Sequence, residues 1–144
     1  MTVRPLGVED TQDALRLYSH LAGDQALADG TAFATLTSHS GTTVLGAFDG
    51  DVLTAMVTLH ILPNMTHGGR PYALIENVVT HADHRGRGRG RQVMQAAIDA
   101  AWVAECYKIM LLTGRTANAR GFYEKLGFGA DEKWGMTLRR VPRR

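Results

Sequence analysis

The sequence predicts an α/β fold with a mixed, mostly antiparallel sheet flanked by helices. Apolar residues recur at helical spacing near the N-terminus and again after residue 91, and β-rich runs lie between these two segments. With 144 residues, 44% apolar and 21% charged, the chain has the composition of a folded protein. No repeat or linker divides it, so we expect one domain over residues 1–144.

The N-terminal third is predicted to be mostly helical, after a short strand at residues 3–5. Asp10 or Thr11 can cap a first helix, in which Ala14, Tyr18 and Leu21 share one face. A weaker helical pattern covers residues 25–36.

The period then changes to that of strands. Residues 43–48 and 52–61 are β-rich and are separated by Asp49-Gly50, a pair suited to tight hairpin turns. Residues 72–80 form a further strand, which is nearly all apolar except for Glu76 and Asn77 and is therefore predicted to be central.

The last third predicts a helix, a strand, a short helix and a final strand. The helix starts near Gln92, and the strand covers residues 107–112. The short helix covers residues 118–126 and ends at Gly127, and the final strand covers residues 134–138.

Composition limits the classes of function. The net charge is only +2, too small to indicate nucleic-acid binding from bulk electrostatics. The single cysteine, Cys106, excludes an internal disulfide and is expected to be a packing residue. Because neither a signal peptide nor a membrane-spanning run is recognisable, we expect a cytoplasmic protein.

The run RGRGRGR at residues 85–91 lies between a predicted buried strand and an amphipathic helix. The first N–H groups of a helix have no internal acceptor, and glycines let the backbone approach a ligand closely. The run therefore predicts a phosphate-binding loop. RNA binding and a surface turn with solvated arginines remain alternatives, whereas the patterns of P-loops and dinucleotide-binding loops do not match.

These residues carry a family resemblance. The stretch 85–90 resembles the [QR]xxGx[GA] acyl-CoA pyrophosphate loop of the GNAT superfamily of N-acetyltransferases, and FYEKLGF at 122–128 resembles its C-terminal signature. The resemblance covers most of the chain and implies a GNAT-type acyl-CoA N-acyltransferase fold. Residues 63–80 and 106–112 also look like the bacterial branch that resembles glucosamine-6-phosphate N-acetyltransferases.

The resemblance implies an acetyl-CoA-dependent N-acetyltransferase that needs no metal and transfers the acetyl group directly to an amine. It also implies that a sheet opening between the strands at Tyr72 and Tyr107 admits acyl-CoA, and that a main-chain amide at Val78 or Val79 polarises the thioester carbonyl. The cofactor-binding residues so implied are Val78, Val79, Thr80, Arg85, Gly86, Arg87, Gly88, Arg89, Gly90, Arg91, Asn118 and Tyr123. A homodimer is expected by the same resemblance.

Two catalytic candidates follow. Tyr123 aligns with a tyrosine that protonates the leaving thiolate in many relatives, although it could instead only pack against the core. Glu76 interrupts an apolar strand, where a buried carboxylate suits a general base, or else an ion pair with a residue such as Arg70. Asn77 stands where the glucosamine-phosphate enzymes carry an aspartate, and Thr116 stands where many relatives carry an asparagine, for which Asn118 is a substitute.

Two points stay open, the acceptor and whether the protein is catalytic. The acceptor could be a small amine, an amino sugar, an amino acid or a peptide terminus. A noncatalytic acyl-CoA-binding or sensory module of the same fold is the alternative function. His81 and His84 have no third ligand at a fitting spacing, so zinc is not expected, and His60 and His67 are expected to be exposed loop residues near the acceptor pocket.

Overall fold

The computed structural model describes residues 1–22, 28–116 and 118–142. The chain forms two compact units, Met1–Leu111 and Leu112–Arg144, and each is described by itself. The single domain over residues 1–144 remains a prediction.

The first unit contains three α-helices and one sheet in the part of the chain that the structure describes. The strands are β1 (Thr2–Pro5), β2 (Thr42–Asp49), β3 (Val52–Leu62), β4 (Tyr72–Thr80) and β5 (Ile109–Met110). The helices are α1 (Thr11–Ala22), α2 (Gly30–Ser38) and α3 (Arg89–Val103). The strands lie in chain order, and all neighbours are antiparallel except β4 and β5, which are parallel. The predicted mixed, mostly antiparallel sheet is confirmed.

Local sequence signals account for most boundaries. Asp29 caps α2, because its carboxylate accepts the N–H groups of Thr31 and Ala32 at 3.0 and 3.2 Å. The helix predicted at residues 25–36 thus begins later, at Gly30, and residues 25–27 lie outside the described part. The predicted hairpin is present, but its two turn residues are Gly50 and Asp51, because Asp49 still pairs with Val52 at the end of β2. Gly50 has a φ of 61°, which a tight hairpin turn favours.

Asp10 stabilises the connection between β1 and α1 instead of capping α1. Its carboxylate accepts two hydrogen bonds from Arg4 at 2.8 and 2.9 Å and one from the Gly7 N–H at 2.9 Å. These bonds lower the pKa of Asp10 below its ordinary value, against the opposing effect of burial.

The sheet separates two helical layers. On one face, buried residues of α1 and α2 pack on the strands, and this cluster contains Ala14, Leu17, Phe33, Val44, Met56 and Val79. Side chains alternate along a strand, so Val57 and Leu59 point to the opposite face. There α3 packs against β2, β3 and β4 with Val93, Met94 and Ala97 fully buried. Both faces are therefore covered, as the apolar strands predicted.

A β-bulge divides β4 into two halves. Glu76 pairs with Thr58 and Val79 pairs with Met56, so Asn77 and Val78 together oppose Val57. Asn77 is the extra residue of the bulge, and it adopts a left-handed conformation with a φ of 51°. Because side chains alternate along a strand, the bulge reverses which β4 residues face the α1 and α2 layer.

The second unit contains a short helix, α4 (Arg120–Lys125), after which Gly127 adopts a φ of 102°. This confirms Gly127 as the residue that closes the helix. The strand predicted at residues 134–138 is wrong: these residues form no strand and pair with none in the described chain. The alternating Trp134, Met136 and Leu138 predicted it, but without a hydrogen-bonded neighbour they remain at least 89% exposed. The strand predicted at 107–112 is likewise reduced to Ile109–Met110.

Candidate functional site

The candidate site is the connection from β4 to α3. The His81 N–H donates to the Thr54 carbonyl at 2.8 Å, which fixes the end of β4, and a 3-10 turn at Ala82–His84 follows. Gly86 and Gly88 have φ values of 72° and 76°, and no atom lies within 4 Å of the position that a Cβ would take at either. The loop thus turns twice through the left-handed region and leaves one side of its backbone open.

The start of α3 offers free hydrogen-bond donors. Gly88 precedes the helix, and the Gln92 N–H donates to the Gly88 carbonyl at 3.0 Å. The amides of residues 89–91 come before this bond and have no acceptor inside the helix. Together with the helix dipole, three such amides make a site for a phosphate group.

The four arginines of the loop do not behave alike. Arg85, Arg87 and Arg91 are exposed and form no ion pair within the part of the chain that the structure describes. Arg89, which the motif implied as a cofactor ligand, instead has its Nη2 at 2.7 Å from Asp49 Oδ2, and its side chain is only 18% exposed. The loop therefore carries three exposed arginines close in sequence to the first amides of α3.

The second half of β4 has a free edge. β5 pairs with β4 only at Ala73 and Leu74, and no other strand of the described chain lies along that side. Val78, Val79 and Thr80 follow the bulge, and Val79 is buried while its two neighbours are half-buried. Their main chain is therefore available for ladder-type hydrogen bonds to an extended ligand.

Glu76 does not have the environment that the sequence predicted. Its side chain is exposed, and within the described chain it makes no ion pair with Arg70 or any other residue. The expectation of burial was wrong because the bulge at Asn77 interrupts the buried strand immediately after it. Glu76 still faces the α1 side of the sheet, opposite Thr58.

The second unit holds the other two predicted residues. Tyr123 lies in α4 between Phe122 and Phe128, with ring centroids 5.1 and 6.2 Å away, and burial raises the pKa of its phenol. Its hydroxyl hence remains a proton donor at neutral pH. Asn118 is exposed and left-handed, with a φ of 55°, and Thr116 is exposed.

The structure brings a third histidine close to His81 and His84. His81 and His84 are in contact at 5.5 Å between centroids, and His20 of α1, which the spacing argument missed, lies 4.4 Å from His81. Long-range contacts of this kind leave no signal in sequence spacing. Over residues 1–22, 28–116 and 118–142, no group of His, Cys, Asp and Glu has the arrangement of a metal site.

The remaining candidates are engaged in the fold. His60 lies in β3 rather than in a loop, with its Nδ1 2.8 Å from Thr42 Oγ1. His67 is an exposed residue of the connection between β3 and β4, as predicted, and it stacks on Tyr107 at 3.9 Å between centroids. Cys106 is buried, which raises the pKa of its thiol and agrees with a packing role. None of the described helices is long and apolar enough to span a bilayer.

Comparisons with known proteins address the class of this fold. The family model of the GNAT acetyltransferases matches residues 8–128. A candidate acetyltransferase from Agrobacterium tumefaciens str. C58 has a structure with a TM-score of 0.89 and 40% identity, covering 97% of this chain and 100% of that one. The structure of a transcriptional regulator from Bacillus halodurans C-125 has a TM-score of 0.86 and 26% identity, covering 96% of this chain and 98% of that one.

Among curated proteins, a glucosamine 6-phosphate N-acetyltransferase from Trypanosoma brucei brucei is 37% identical over 76 residues. The match covers 53% of this chain and 50% of that protein, so the chain aligns with only half the length of this relative.

The fold is similar to that of an acetyltransferase structure, and the family model spans most of the chain. The chain belongs to the acetyltransferase (GNAT) family. This confirms the family and the fold that the two motifs implied.

Proposed function

We propose that this chain transfers an acetyl group from acetyl-CoA directly to a primary amine. The observation that carries the proposal is the connection from β4 to α3, where two left-handed glycines expose the first amides of a 15-residue helix. Beside them are three exposed arginines that form no ion pair within the described chain. A pyrophosphate suits such a site, because it needs several donors and a positive field at once.

The edge of β4 would hold the rest of the cofactor. Val78, Val79 and Thr80 follow the bulge on the edge that β5 leaves free, and they lead directly into the loop. A pantetheine chain hydrogen-bonded along this edge would place its thioester near the bulge, where the Val78 or Val79 amide is the donor for the carbonyl oxygen.

The chemistry would use one base and one acid. Glu76, directly or through a water molecule, takes a proton from the ammonium of the acceptor and so produces the neutral amine. The neutral amine nitrogen then attacks the thioester carbon, the carbon–sulfur bond breaks, and the phenol of Tyr123 gives its proton to the departing thiolate. The nitrogen loses its remaining extra proton to the resulting phenolate, directly or through water, which leaves the amide and restores the phenol. Burial raises the pKa of Tyr123, so its phenol is protonated before the step, as an acid must be.

Glucosamine 6-phosphate is the first acceptor to test, because a relative that is 37% identical over 76 residues is named for it. The bulge residue Asn77 bears on this choice, since the glucosamine-phosphate enzymes that the chain resembles carry an aspartate there. We also propose that the protein is cytoplasmic and that it forms a homodimer. Light scattering of the purified protein tests the homodimer.

A noncatalytic acyl-CoA-binding module is the second candidate. The structural neighbour from Bacillus halodurans, described as a transcriptional regulator, favours it. This candidate predicts acetyl-CoA binding without turnover for any amine.

The deciding experiment follows free thiol release from acetyl-CoA with a panel of amines, and mass spectrometry of the products. The panel contains glucosamine 6-phosphate, glucosamine, amino acids and peptides with free amino termini, with N-acetylglucosamine 6-phosphate as the control that lacks an amine. Amine-dependent gain of one acetyl group supports catalysis, whereas binding without any acetylated product favours the noncatalytic module.

A further inference from the structure

Arg89 stands apart from the other arginines of the loop. It is the first residue of α3, and its side chain turns away from solvent, with one nitrogen 2.7 Å from Asp49 Oδ2 and another 2.6 Å from Met1 Sδ. Its Nε is buried and has no partner in the described chain. The guanidinium therefore bonds to groups of the protein itself, Asp49 and Met1.

Asp49 ends β2, at the start of the hairpin that leads to β3, 40 positions before Arg89 in the sequence. Its side chain is 45% exposed, whereas that of Arg89 is 18% exposed. This ion pair links β2 to the first turn of α3. The amides of residues 89–91 in that turn belong to the candidate phosphate site. Asp49 belongs to neither of the two family motifs.

We infer that Arg89 is a positioning residue rather than a cofactor ligand, and that Asp49 acts through it to hold the first turn of α3 where its amides meet the acyl-CoA pyrophosphate. This inference rests on the proposed function for the identity of the ligand. The backbone of Arg89 supplies a donor, while its side chain fixes where that donor points.

The energetics follow from the burial of the guanidinium. Removing the Asp49 charge leaves a mostly buried cation without its partner, which drives the side chain toward water. Because Arg89 is the first helical residue, that movement loosens the turn at 89–91. Binding of CoA suffers, but the reacting groups near Glu76 are unaffected, so the account predicts a change in cofactor affinity and not in the chemical step.

The experiment compares Asp49→Asn with Asp51→Asn, a matched control on the same hairpin whose exposed carboxylate has no ion pair within the described chain. Calorimetry with CoA should give a dissociation constant about fivefold to twentyfold higher for Asp49→Asn, with kcat at saturating acetyl-CoA unchanged and Asp51→Asn like wild type. The exchanged pair Asp49→Arg with Arg89→Asp should recover part of the lost affinity.

If Arg89→Ala weakened CoA binding while Asp49→Asn did not, Arg89 would be a direct ligand and the inference would be overturned. Amide hydrogen exchange without ligand gives an independent reading. Asp49→Asn should speed exchange at residues 92–94, whose amides bond back to the first turn, and equal protection in both variants would also overturn it. Failure of wild-type protein to bind CoA would instead count against the proposed function, leaving the exchange result to decide the role of Asp49.

Discussion

Glu76 lies directly opposite Thr58 across β3 and β4, and the bulge at Asn77 follows immediately. Thr58 is 2% exposed, whereas Glu76 is exposed on the same face. The carboxylate thus stands where the covered part of the sheet ends, between the α1 layer and the free edge of β4. A general base needs such access to an acceptor entering from solvent.

Replacing Glu76 by Gln should lower kcat/KM by about 100-fold or more if this carboxylate is the base. The free energy of unfolding should change by less than about 0.5 kcal/mol, because the side chain is exposed and makes no ion pair in the described chain. Steady-state kinetics and urea denaturation check both points, with the exposed Glu105→Gln as control. Unchanged kinetics would remove Glu76 from the mechanism.

Gly88 is needed for its backbone conformation and not for lack of space. Its φ is 76°, and nothing lies within 4 Å of a Cβ there. Gly88→Ala should therefore destabilise the start of α3 by about 1 to 2 kcal/mol through strain alone. Gly88→Asn should cost less, since asparagine tolerates the left-handed region. Thermal unfolding measures this order, and equal losses for Ala and Asn would contradict it.

Tyr123 should remain a proton donor across neutral and mildly alkaline pH. Burial raises its pKa above the ordinary value of about 10, so ionisation of this phenol cannot lower the rate until above that pH. The same shift means that the unfolded chain ionises first, so the stability due to this burial is present below pH 10 and is lost as pH rises through the folded pKa. Tyr123→Phe should lower kcat by roughly 100-fold.

A pH–rate profile of the wild type, with Tyr107→Phe as control, tests the role of Tyr123. An alkaline loss of rate near pH 8 that disappears in Tyr123→Phe would contradict the account, as would a fully active Tyr123→Phe.

The Arg4–Asp10 pair should make the first unit sensitive to acid. The folded pKa of Asp10 is lowered, chiefly by the hydrogen bonds from Arg4. Its contribution to stability is therefore present above the unfolded pKa of about 4 and is lost as pH falls through the folded pKa. Asp10→Asn should reduce the free energy of unfolding at pH 7 by about 1 to 3 kcal/mol. It should also make the decrease in that free energy at acid pH smaller. Urea denaturation between pH 7 and 3 measures both effects, and parallel curves for variant and wild type would contradict them.

Local signals predicted most of the fold. The β2–β3 hairpin, the apolar run of β4 and the left-handed Gly127 each depend on neighbouring residues alone, and each was confirmed, although the turn residues of the hairpin are Gly50 and Asp51 and not Asp49 and Gly50. The exposure of Glu76 was not predictable in this way, because the bulge at Asn77 is defined by its register with β3.

Long-range pairs escaped prediction for the same reason. Arg89 was grouped with three other arginines because they alternate with glycine, but its partner Asp49 lies 40 positions away. His20 and His81 meet only because α1 packs beside the end of β4. At residues 134–138, alternation predicted a strand, yet alternation alone supplies no hydrogen-bonded neighbour.

The central claim is that the β4–α3 loop binds acyl-CoA, and calorimetric titration tests it most directly. Wild-type protein is titrated with acetyl-CoA, CoA, ATP and a short RNA, and the titrations are repeated with Gly88→Glu, which places a carboxylate on the open side of the loop. The account predicts selective micromolar binding of the two CoA compounds that is lost in the variant. Absence of acetyl-CoA binding together with salt-sensitive RNA binding would contradict it.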